Sequence, residues 1–434
     1  MLSFVALLAL VRAAGAADEE AAPPPADEEP APPPYESKLQ GYAFGWSWNE
    51  GLQYGIDVPD AVETWEAGEL RWRPLLRGDV GIRLALDAVG MWQHGGWVDL
   101  DQDVGVRRAY LYANGQVQRA WKPLSYKLEI GVVDDRFSLR NASIAVHEIP
   151  YAGTFRIGAF DAPMSLAYLT SSRATTLMET GMVVDALAPG TLAGSMLSNY
   201  IPDRRLTWAT GFFSEGDDAD VGDASDALAR FVGRVTWLPW RTAVSLLHLG
   251  FSASWAFVPI GDVHFESGPE SFFAPDIVDT GDFEARQSIL LGTEAAWVRG
   301  RFSLMGEYLQ ALVLRDEGAN LRFGGFYVTT SLFLTRDSRV YSDADATFAS
   351  VVPSRPLSWT ARQIGAVEAA LRLSYVDLAD DDIRGGTASA LTSGINWYWN
   401  RYVRMQFNLG YTHASGGPRP GDAAILQARF DLLI

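Results

Sequence analysis

Short segments in which apolar and polar residues alternate recur along most of this chain. Within residues 81–87 the large apolar side chains stand at alternate positions, 82, 84 and 86, and charged residues occur only between them or after them, and residues 403–409 and 426–432 alternate in the same way. Successive side chains of a strand point to opposite faces, so each segment would turn one face to an apolar medium and one to water. No run of 18 apolar residues and no convincing long helix accompanies these segments, so the pattern predicts strands.

The connections between these segments alternate in length. Short turns are predicted at Lys122-Pro123, Pro202-Asp203, Pro239-Trp240, Arg299-Gly300 and Asn400-Arg401. Longer polar loops lie between them, near residues 93–103, 163–189, 215–226, 258–283, 315–321, 378–386 and 414–422. Alternating strands of roughly ten residues with short turns on one side and long loops on the other are typical of a transmembrane β-barrel.

We therefore predict an all-β fold, a transmembrane antiparallel β-barrel of about 16 strands, or 18 if residues 40–58 add a hairpin. A soluble β-sandwich would also alternate, but here Trp and Tyr flank the apolar faces, as they do at a lipid interface. The connection 335–364 falls on the periplasmic side by parity although it is long, and it contains Pro353 and Pro356.

The first part of the chain has a different composition. An apolar run at residues 4–11 is too short to span a bilayer, and Ala14-Gly15-Ala16 follows it, so residues 1–16 are predicted to be a secretory signal peptide. Residues 17–39 are rich in Pro, Glu, Asp and Ala and are predicted to be a disordered leader. The barrel domain then occupies residues 40–434.

Charge and cysteine content exclude several classes of protein. There are no cysteines, which excludes a disulfide scaffold and thiol chemistry, and the net charge of −18 argues against nucleic acid as a partner. Lys38, Lys122 and Lys127 are the only lysines, so nearly all basic residues are arginines. Arginine grips phosphate-like anions bidentately, but a GC-rich genome would also favour it, and both explanations stay open.

The stretch Val106–Tyr112 is a predicted strand that contains two adjacent arginines, and the turn dipeptide Asn114-Gly115 is predicted to end it. On strict alternation Arg108, Tyr110 and Tyr112 share one face, so Arg107 would face the other side unless a bulge intervenes. Such a strand needs water on one side and an apolar medium on the other. A barrel wall between lipid and an aqueous lumen provides both.

Several motifs in order along the chain give it a family resemblance. They are Arg107-Arg108-Ala109-Tyr110-Leu111, Trp121 with Tyr126-Lys127-Leu128, Leu169-Thr170-Ser171-Ser172-Arg173 followed by Met178-Glu179, Leu246-Leu247-His248-Leu249-Gly250, Gly325-Phe326-Tyr327-Val328 with Phe333-Leu334-Thr335, Leu371-Arg372 with Asp377-Leu378, and Gly394-Ile395-Asn396-Trp397-Tyr398. From about Gly78 to Ile434 the chain resembles the phosphate-selective porins of the O/P type.

This resemblance implies a 16-stranded porin of the Gram-negative outer membrane that passes phosphate or related anions by passive diffusion. It also implies a homotrimer in contact with outer-membrane lipid and lipopolysaccharide, and a constriction loop at residues 163–189. The anion-binding eyelet of the family maps onto six positions of this sequence: Arg83, Arg107, Arg108, Tyr110, Ser172 and Arg173.

Seven further basic residues are candidates for the lumen. They are Lys127, Arg156, Arg230, Arg234, Arg372, Arg404 and Arg429. Each could bind anions, or it could pair with a lumen carboxylate and merely brace the wall. For two of the lumen arginines a partner is close in sequence, Asp87 for Arg83 and Glu368 for Arg372.

Some positions depart from the family pattern. The lysines that line the family's pore mouth are missing, with Tyr168 about where one is expected, and Arg140 lies near an eyelet position that is acidic in the family. The loop at 258–283 contains no Arg or Lys and is acidic, although the corresponding family loop bears arginines. An anion funnel at the pore mouth is therefore not predicted, whereas the constriction remains basic.

Catalysis has little support in the sequence. The five histidines are dispersed without metal-ligand spacing, and there is neither a G-x-S-x-G elbow nor a P-loop. We predict no enzyme activity, no cofactor and no metal site. The alternative to an anion channel is a closed or non-selective barrel that works through its acidic outer loops in surface interactions.

Overall fold

The computed structural model describes residues 36–39, 42–48, 52–57, 65–66, 69–70, 76–94, 102–117, 122–133, 136–215, 228–257 and 262–434. The predicted signal peptide and residues 17–35 of the predicted leader lie outside this part of the chain, as do the motif residue Trp121 and parts of the outer loops predicted near 93–103, 215–226 and 258–283. The last residues of the predicted leader, Glu36–Leu39, form a strand.

A closed barrel of 16 antiparallel strands forms the body of the molecule. Five short strands precede it: β1 (Glu36–Leu39), β2 (Tyr42–Trp48), β3 (Leu52–Asp57), β4 (Trp65–Glu66) and β5 (Glu69–Leu70). The barrel strands are β6 (Leu76–His94), β7 (Gln102–Val117), β8 (Leu124–Val133), β9 (Arg136–Ile149), β10 (Gly153–Asp161), β11 (Thr191–Ile201), β12 (Leu206–Glu215), β13 (Leu228–Arg241), β14 (Ser245–Phe257), β19 (Gln287–Arg299), β20 (Phe302–Leu314), β21 (Leu321–Phe333), β24 (Ala366–Asp380), β25 (Ile383–Tyr398), β26 (Val403–Ser415) and β27 (Gly421–Leu433). The connections hold β15 (Asp262–Val263), β16 (Glu266–Ser267), β17 (Val278–Asp279), β18 (Phe283–Glu284), β22 (Val340–Ser342) and β23 (Thr347–Ala349).

The barrel closes between its first and last strands. Residues 83–94 of β6 pair with β27, so the sheet has no free edge there. The lower end of β6 extends below the C-terminal end of β27 and pairs with β3, which continues through β2 to β1. The possible hairpin within residues 40–58 is therefore present as β2 and β3. It pairs with the periplasmic end of β6 and adds no strand to the closed wall.

The polarity of the wall is the reverse of that in a soluble protein. On β26 the lumen-facing Gln406 and Asn408 are 0% and 2% exposed, whereas Phe407 and Leu409 on the outer face are 41% and 53% exposed. Large exposed apolar side chains occupy the outer faces of the other strands in the same way, from Ile82 on β6 onward. An apolar outer face and a polar inner face are what a barrel in a bilayer requires.

Three connections fold into the lumen. The first, residues 162–190, contains helices α1 (Leu166–Leu169) and α2 (Met182–Leu187), and α2 packs on β20, β21 and β24. The second, described over residues 262–286, holds β15 to β18, and β17 packs on β25. The third, residues 334–365, enters from the periplasmic side and places β23 against α1. The long periplasmic connection is therefore a lumen element. None of the described helices is long and apolar enough to cross a membrane.

Three predicted connections are different in the structure. Asn114-Gly115 is not a turn but lies inside β7, where Gly115 makes room for the Tyr126 hydroxyl on the next strand. Pro239-Trp240 belongs to β13, at a bulge that accommodates a residue without an N–H. The loop expected at 378–386 is a tight turn, because β24 continues to Asp380 and β25 begins at Ile383.

Candidate functional site

The two adjacent arginines of β7 both face the lumen. Arg108 stands opposite Ala85 and Val106 stands opposite Leu86, so Arg107 is an additional residue in the β7 side of the ladder. This bulge turns the Arg107 side chain to the same face as that of Arg108, which strict alternation would forbid. The bulge thus adds a second guanidinium to the lumen.

Arg107 belongs to an ionic network that joins the wall to the constriction loop. Its Nε and Nη2 donate to the two carboxylate oxygens of Glu179 at 3.2 and 3.1 Å, and its guanidinium lies 4.1 Å from the ring centroid of Phe272. Arg429 donates to both carboxylate oxygens of Asp87 at 2.7 and 2.6 Å and also reaches Glu179. Burial raises the pKa of Glu179, but Arg107 and Arg429 outweigh burial and hold that pKa far below its ordinary value. Glu179 therefore stays ionised between two arginines.

Arg108 differs from Arg107 in having no counter-ion. No carboxylate in the described part of the chain lies within ion-pair distance of Arg108. The acid with the largest influence on it is Glu179, which already binds two other arginines. Tyr110 is buried next to Arg108 on the lumen face, close against Gly131 where a Cβ would collide with its ring. Arg108 is therefore a fixed positive charge that its protein surroundings do not neutralise.

A cavity of about 490 Å³ lies on the periplasmic side of these arginines. Arg83, Lys127 and Arg173 supply its basic side chains. Glu129 accepts a hydrogen bond from Arg83 at 3.1 Å and lies 3.5 Å from Lys127. Arg173 donates only to a backbone carbonyl among the described residues. Burial and the neighbouring charges, above all that of Arg83, lower the pKa of Arg173 to about 10, so it stays protonated at neutral pH.

The pairing expected between Arg83 and Asp87 does not form. Asp87 stands directly opposite Arg429 across the β27–β6 ladder and is bound there on both of its oxygens. Arg83 instead reaches over β7 to Glu129 on β8. Closure of the barrel brings the first barrel strand, β6, next to the last, β27. Asp87 therefore pairs with Arg429, and Arg83 pairs with Glu129 instead.

Four lumen arginines hold the backbone of the constriction loop. Arg404 donates to the carbonyl oxygens of Ser172, Arg173 and Thr175 at 2.9, 3.1 and 3.1 Å. The other three reach one carbonyl each, Arg429 that of Met178 at 2.7 Å, Arg372 that of Glu179 at 2.9 Å and Arg339 that of Ala174 at 2.6 Å. Loop residues 172–179 are therefore positioned by guanidinium donors.

Most of the additional lumen candidates have protein partners. Arg404 binds Asp431 at 2.6 Å, Arg372 binds Glu270 and Arg234 binds Glu294, each pair being largely buried. Arg230 donates to Ser254 at 3.0 Å. The expected acidic partner of Arg372, Glu368, is not used by it and instead lies 3.6 Å from Arg339 and accepts from Ser331, Asn396 and Tyr398. Bracing of the wall is the structural role of these arginines.

Two other candidates lie outside this bracing system. The guanidinium of Arg156 lies 5.4 Å from the ring centroid of Phe160, and among the described residues it forms no ion pair. The backbone carbonyl of Ser172 is bound by Arg404, whereas its hydroxyl has no hydrogen-bond partner in the described part of the chain. Arg156 and the Ser172 hydroxyl are therefore free to interact with a solute.

The sum of charges around Arg108, Arg173 and the cavity is positive. Seven basic side chains stand there: Arg83, Arg107, Arg108, Lys127, Arg173, Arg404 and Arg429. Five acidic side chains accompany them: Asp79, Asp87, Glu129, Glu179 and Asp431. The acidic partners Glu129 and Glu270 were not singled out in the sequence. Glu129 alternates with Lys127 on one face of β8, a signal that marks it as a lumen residue.

The lumen also contains a serine–histidine pair at its periplasmic end. Ser125 Oγ lies 2.7 Å from His147 Nε2, and His147 Nδ1 lies 3.0 Å from the Thr154 hydroxyl. A hydrolytic triad uses a carboxylate at the third position to stabilise the imidazolium. Thr154 offers only a neutral hydroxyl, so this group ties β8, β9 and β10 together.

Comparisons with known proteins agree with this architecture. A family model described as phosphate-selective porin O and P matches residues 80–431. An uncharacterized protein of Caulobacter vibrioides is 25% identical over 320 residues, which cover 69% of this chain and 62% of that protein. The chain thus matches less than two thirds of the length of this relative.

Solved structures share the fold at low sequence identity. An anion-selective porin from Comamonas acidovorans superimposes with a TM-score of 0.52 and 12% identity, covering 82% of this chain and 100% of that chain. The trimer form of OmpT, an outer membrane protein of Vibrio cholerae, gives a TM-score of 0.52 and 11% identity, covering 82% and 99%. The molecule is therefore a multi-pass outer-membrane β-barrel and a channel rather than an enzyme, and it belongs to the family of phosphate-selective porins O and P.

Proposed function

We propose that this porin selects phosphate-type anions at a basic strip formed by Arg83, Arg108, Lys127 and Arg173. The observation that carries the proposal is that Arg108 has no counter-ion among the described residues, in a lumen where most other described arginines are paired. A passing oxyanion supplies the missing negative charge. The guanidinium of Arg108 is a planar fork of donors, so it matches phosphate oxygens better than the point charge of a lysine would.

Selectivity also requires that a bound anion leave again. Glu129 faces Arg83 and Lys127 at 3.1 and 3.5 Å and so competes with a solute for both of them. The charge of Arg83 helps to lower the pKa of Arg173, so the two positive charges are close enough to attract the same anion. A strip of partly compensated charges binds anions weakly at several points, which is the condition for conduction.

The second candidate function is a closed or non-selective barrel. It is favoured by the filling of the lumen by three inward connections, including residues 334–365 from the periplasmic side. In that case the acidic outer loops would be the working part, and the arginines would serve only to fasten the inward segments.

Planar-bilayer recordings with purified porin separate the two functions. We expect a reversal potential of anionic sign under a KCl gradient, and a chloride current that phosphate blocks. Cation preference together with insensitivity to phosphate would contradict anion selection. The absence of any unitary conductance in protein with intact barrel migration would favour the closed barrel.

We further propose that the protein is exported with residues 1–16 as its signal peptide and forms a homotrimer in contact with outer-membrane lipid and lipopolysaccharide. The similar fold of an OmpT described as a trimer form supports the oligomeric state. Cross-linking of the porin in native outer membranes should give a band of three subunits. A single-subunit band under conditions that cross-link a known trimeric porin would contradict it.

A further inference from the structure

The outer connection between β14 and β19 is anchored to the barrel on one side. Its four short strands form two nested pairs, β15 with β18 and, inside that pair, β16 with β17. Phe265 and Phe283 pack on Phe323 of the barrel wall, with ring centroids 5.7 and 5.9 Å away. In the lumen, Arg372 and Thr392 bind Glu270 at the tip of the connection. These contacts hold the connection in place on the barrel, so the backbone that carries its exposed side chains is also held in place.

On that exposed side three carboxylates surround one imidazole. His264 Nε2 lies 2.8 Å from Asp279 Oδ1 and 3.5 Å from Glu266 Oε2, and His264 Nδ1 lies 3.1 Å from Asp282 Oδ1. One donor atom each from His264, Glu266 and Asp279 lies within 4.8 Å of the other two, close enough to share one ion. This is a mixed nitrogen and oxygen donor set.

The hairpin places two of these carboxylates directly opposite each other. Glu266 and Asp279 are register partners in the β16–β17 pair. Like charges at opposite positions of a ladder destabilise it unless something compensates them. The connection itself offers no Lys or Arg between residues 258 and 283.

We propose that His264, through its Nε2, together with Glu266 and Asp279 binds one divalent metal ion of the zinc type at the outer mouth of the barrel, while Asp282, 3.1 Å from Nδ1 on the other side of the ring, orients the imidazole. Imidazole and carboxylate together suit Zn²⁺ and its transition-metal neighbours, whereas Mg²⁺ and Ca²⁺ prefer oxygen ligands alone. The ion supplies the positive charge that this hairpin lacks and cross-links its two strands.

Backbone contacts hold the donors in place. The Gly281 amide donates to Asp279 Oδ1 at 2.6 Å, and the Phe265 amide donates to the Thr280 hydroxyl at 2.9 Å. Asp279 Oδ2 has no hydrogen-bond partner among the described residues, so it is open to an ion. Sequence spacing did not reveal this group, because His264 and Asp279 are 15 residues apart and meet only when the hairpins form.

Isothermal titration of untagged, EDTA-treated porin in detergent with ZnCl₂ tests the site. We expect one saturable Zn²⁺ equivalent per chain, weakened at least about tenfold in His264→Ala and in Asp279→Asn. His413→Ala is the matched control, because His413 is also an exposed outer histidine but has a single carboxylate neighbour, Asp422 at 2.9 Å. Its affinity should equal that of the wild type.

Competition with a large excess of MgCl₂ distinguishes a metal site from general screening of acidic loops. Zinc binding should persist in excess Mg²⁺. Equal displacement by Mg²⁺, or Zn²⁺ affinity unchanged in both His264→Ala and Asp279→Asn, would overturn the proposal. Heat-modifiable migration of each variant verifies that its barrel is intact. Because the titration measures binding alone, its result is independent of the anion selectivity proposed above.

Discussion

Replacing Arg108 by Gln tests whether an unpaired guanidinium sets the anion affinity of the pore. The substitution leaves no carboxylate without a partner, because Arg108 has none among the described residues. It also keeps a polar side chain of similar reach on the lumen face of β7. The barrel should therefore fold normally, and any change in transport should come from the lost charge.

The magnitude follows from Coulomb's law. A unit charge about 4 Å from a guanidinium is stabilised by about 1 kcal/mol in bulk water and about 4 kcal/mol at an effective dielectric constant near 20. These energies correspond to about fivefold and about 1,000-fold in affinity. Since Arg108 is only partly buried, we expect the lower part of this range, with phosphate affinity weakened at least about fivefold.

The assay is block of the chloride current by phosphate in planar bilayers, fitted to an apparent dissociation constant. Arg241→Gln is the matched control, because Arg241 binds Asp343 at 2.9 Å near the periplasmic end of β13, away from the basic strip. The control should keep the wild-type constant. Full unitary conductance with an unchanged phosphate constant in Arg108→Gln would refute the reasoning.

Three further predictions concern the constriction. Asp87→Asn removes a bidentate partner of the buried Arg429 and should destabilise the barrel by on the order of 3 kcal/mol. The temperature at which heat-modifiable migration is lost should therefore fall, and an unchanged temperature would mean that Glu179 compensates fully. The pKa of Glu179 is lowered in the folded state, so the ionised carboxylate stabilises the fold above the ordinary pKa of 4.5, and this stabilisation is lost as the pH falls below that value. Wild type should therefore lose more thermal stability than Glu179→Gln between pH 7 and pH 3, and equal losses would contradict the network. Arg404→Met frees three carbonyls of the constriction loop, so open-channel current noise should rise, whereas a quiet trace would show that the other guanidinium donors suffice.

The class of fold could be predicted from local patterns. Alternation along segments such as residues 403–409 depends only on each residue's two faces and on the media beside them, and the structure confirms an antiparallel barrel of 16 strands. The turn prediction was wrong where a turn-like dipeptide serves the packing of neighbouring strands instead. Asn114-Gly115 looks like a turn, but in β7 it provides space for Tyr126.

The lumen site could be predicted only in part. Alternation assigned Arg108 and Tyr110 to the lumen, whereas the orientation of Arg107 depends on a bulge that no local pattern required. The partners of the arginines were not predictable by proximity along the chain. Arg83 binds Glu129 rather than Asp87, and Arg372 binds Glu270 rather than Glu368.

By itself the sequence determined the strand pattern, the two media and the surplus of lumen arginines, because these follow from period-two alternation and composition. The tertiary structure alone decided which arginines keep an unneutralised charge. Arg107 and Glu179 are 72 residues apart, and Arg429 and Asp87 are 342 residues apart. Such pairs form only when the barrel closes and its loops fold inward, and the same closure leaves Arg108 without a counter-ion in the described part of the chain.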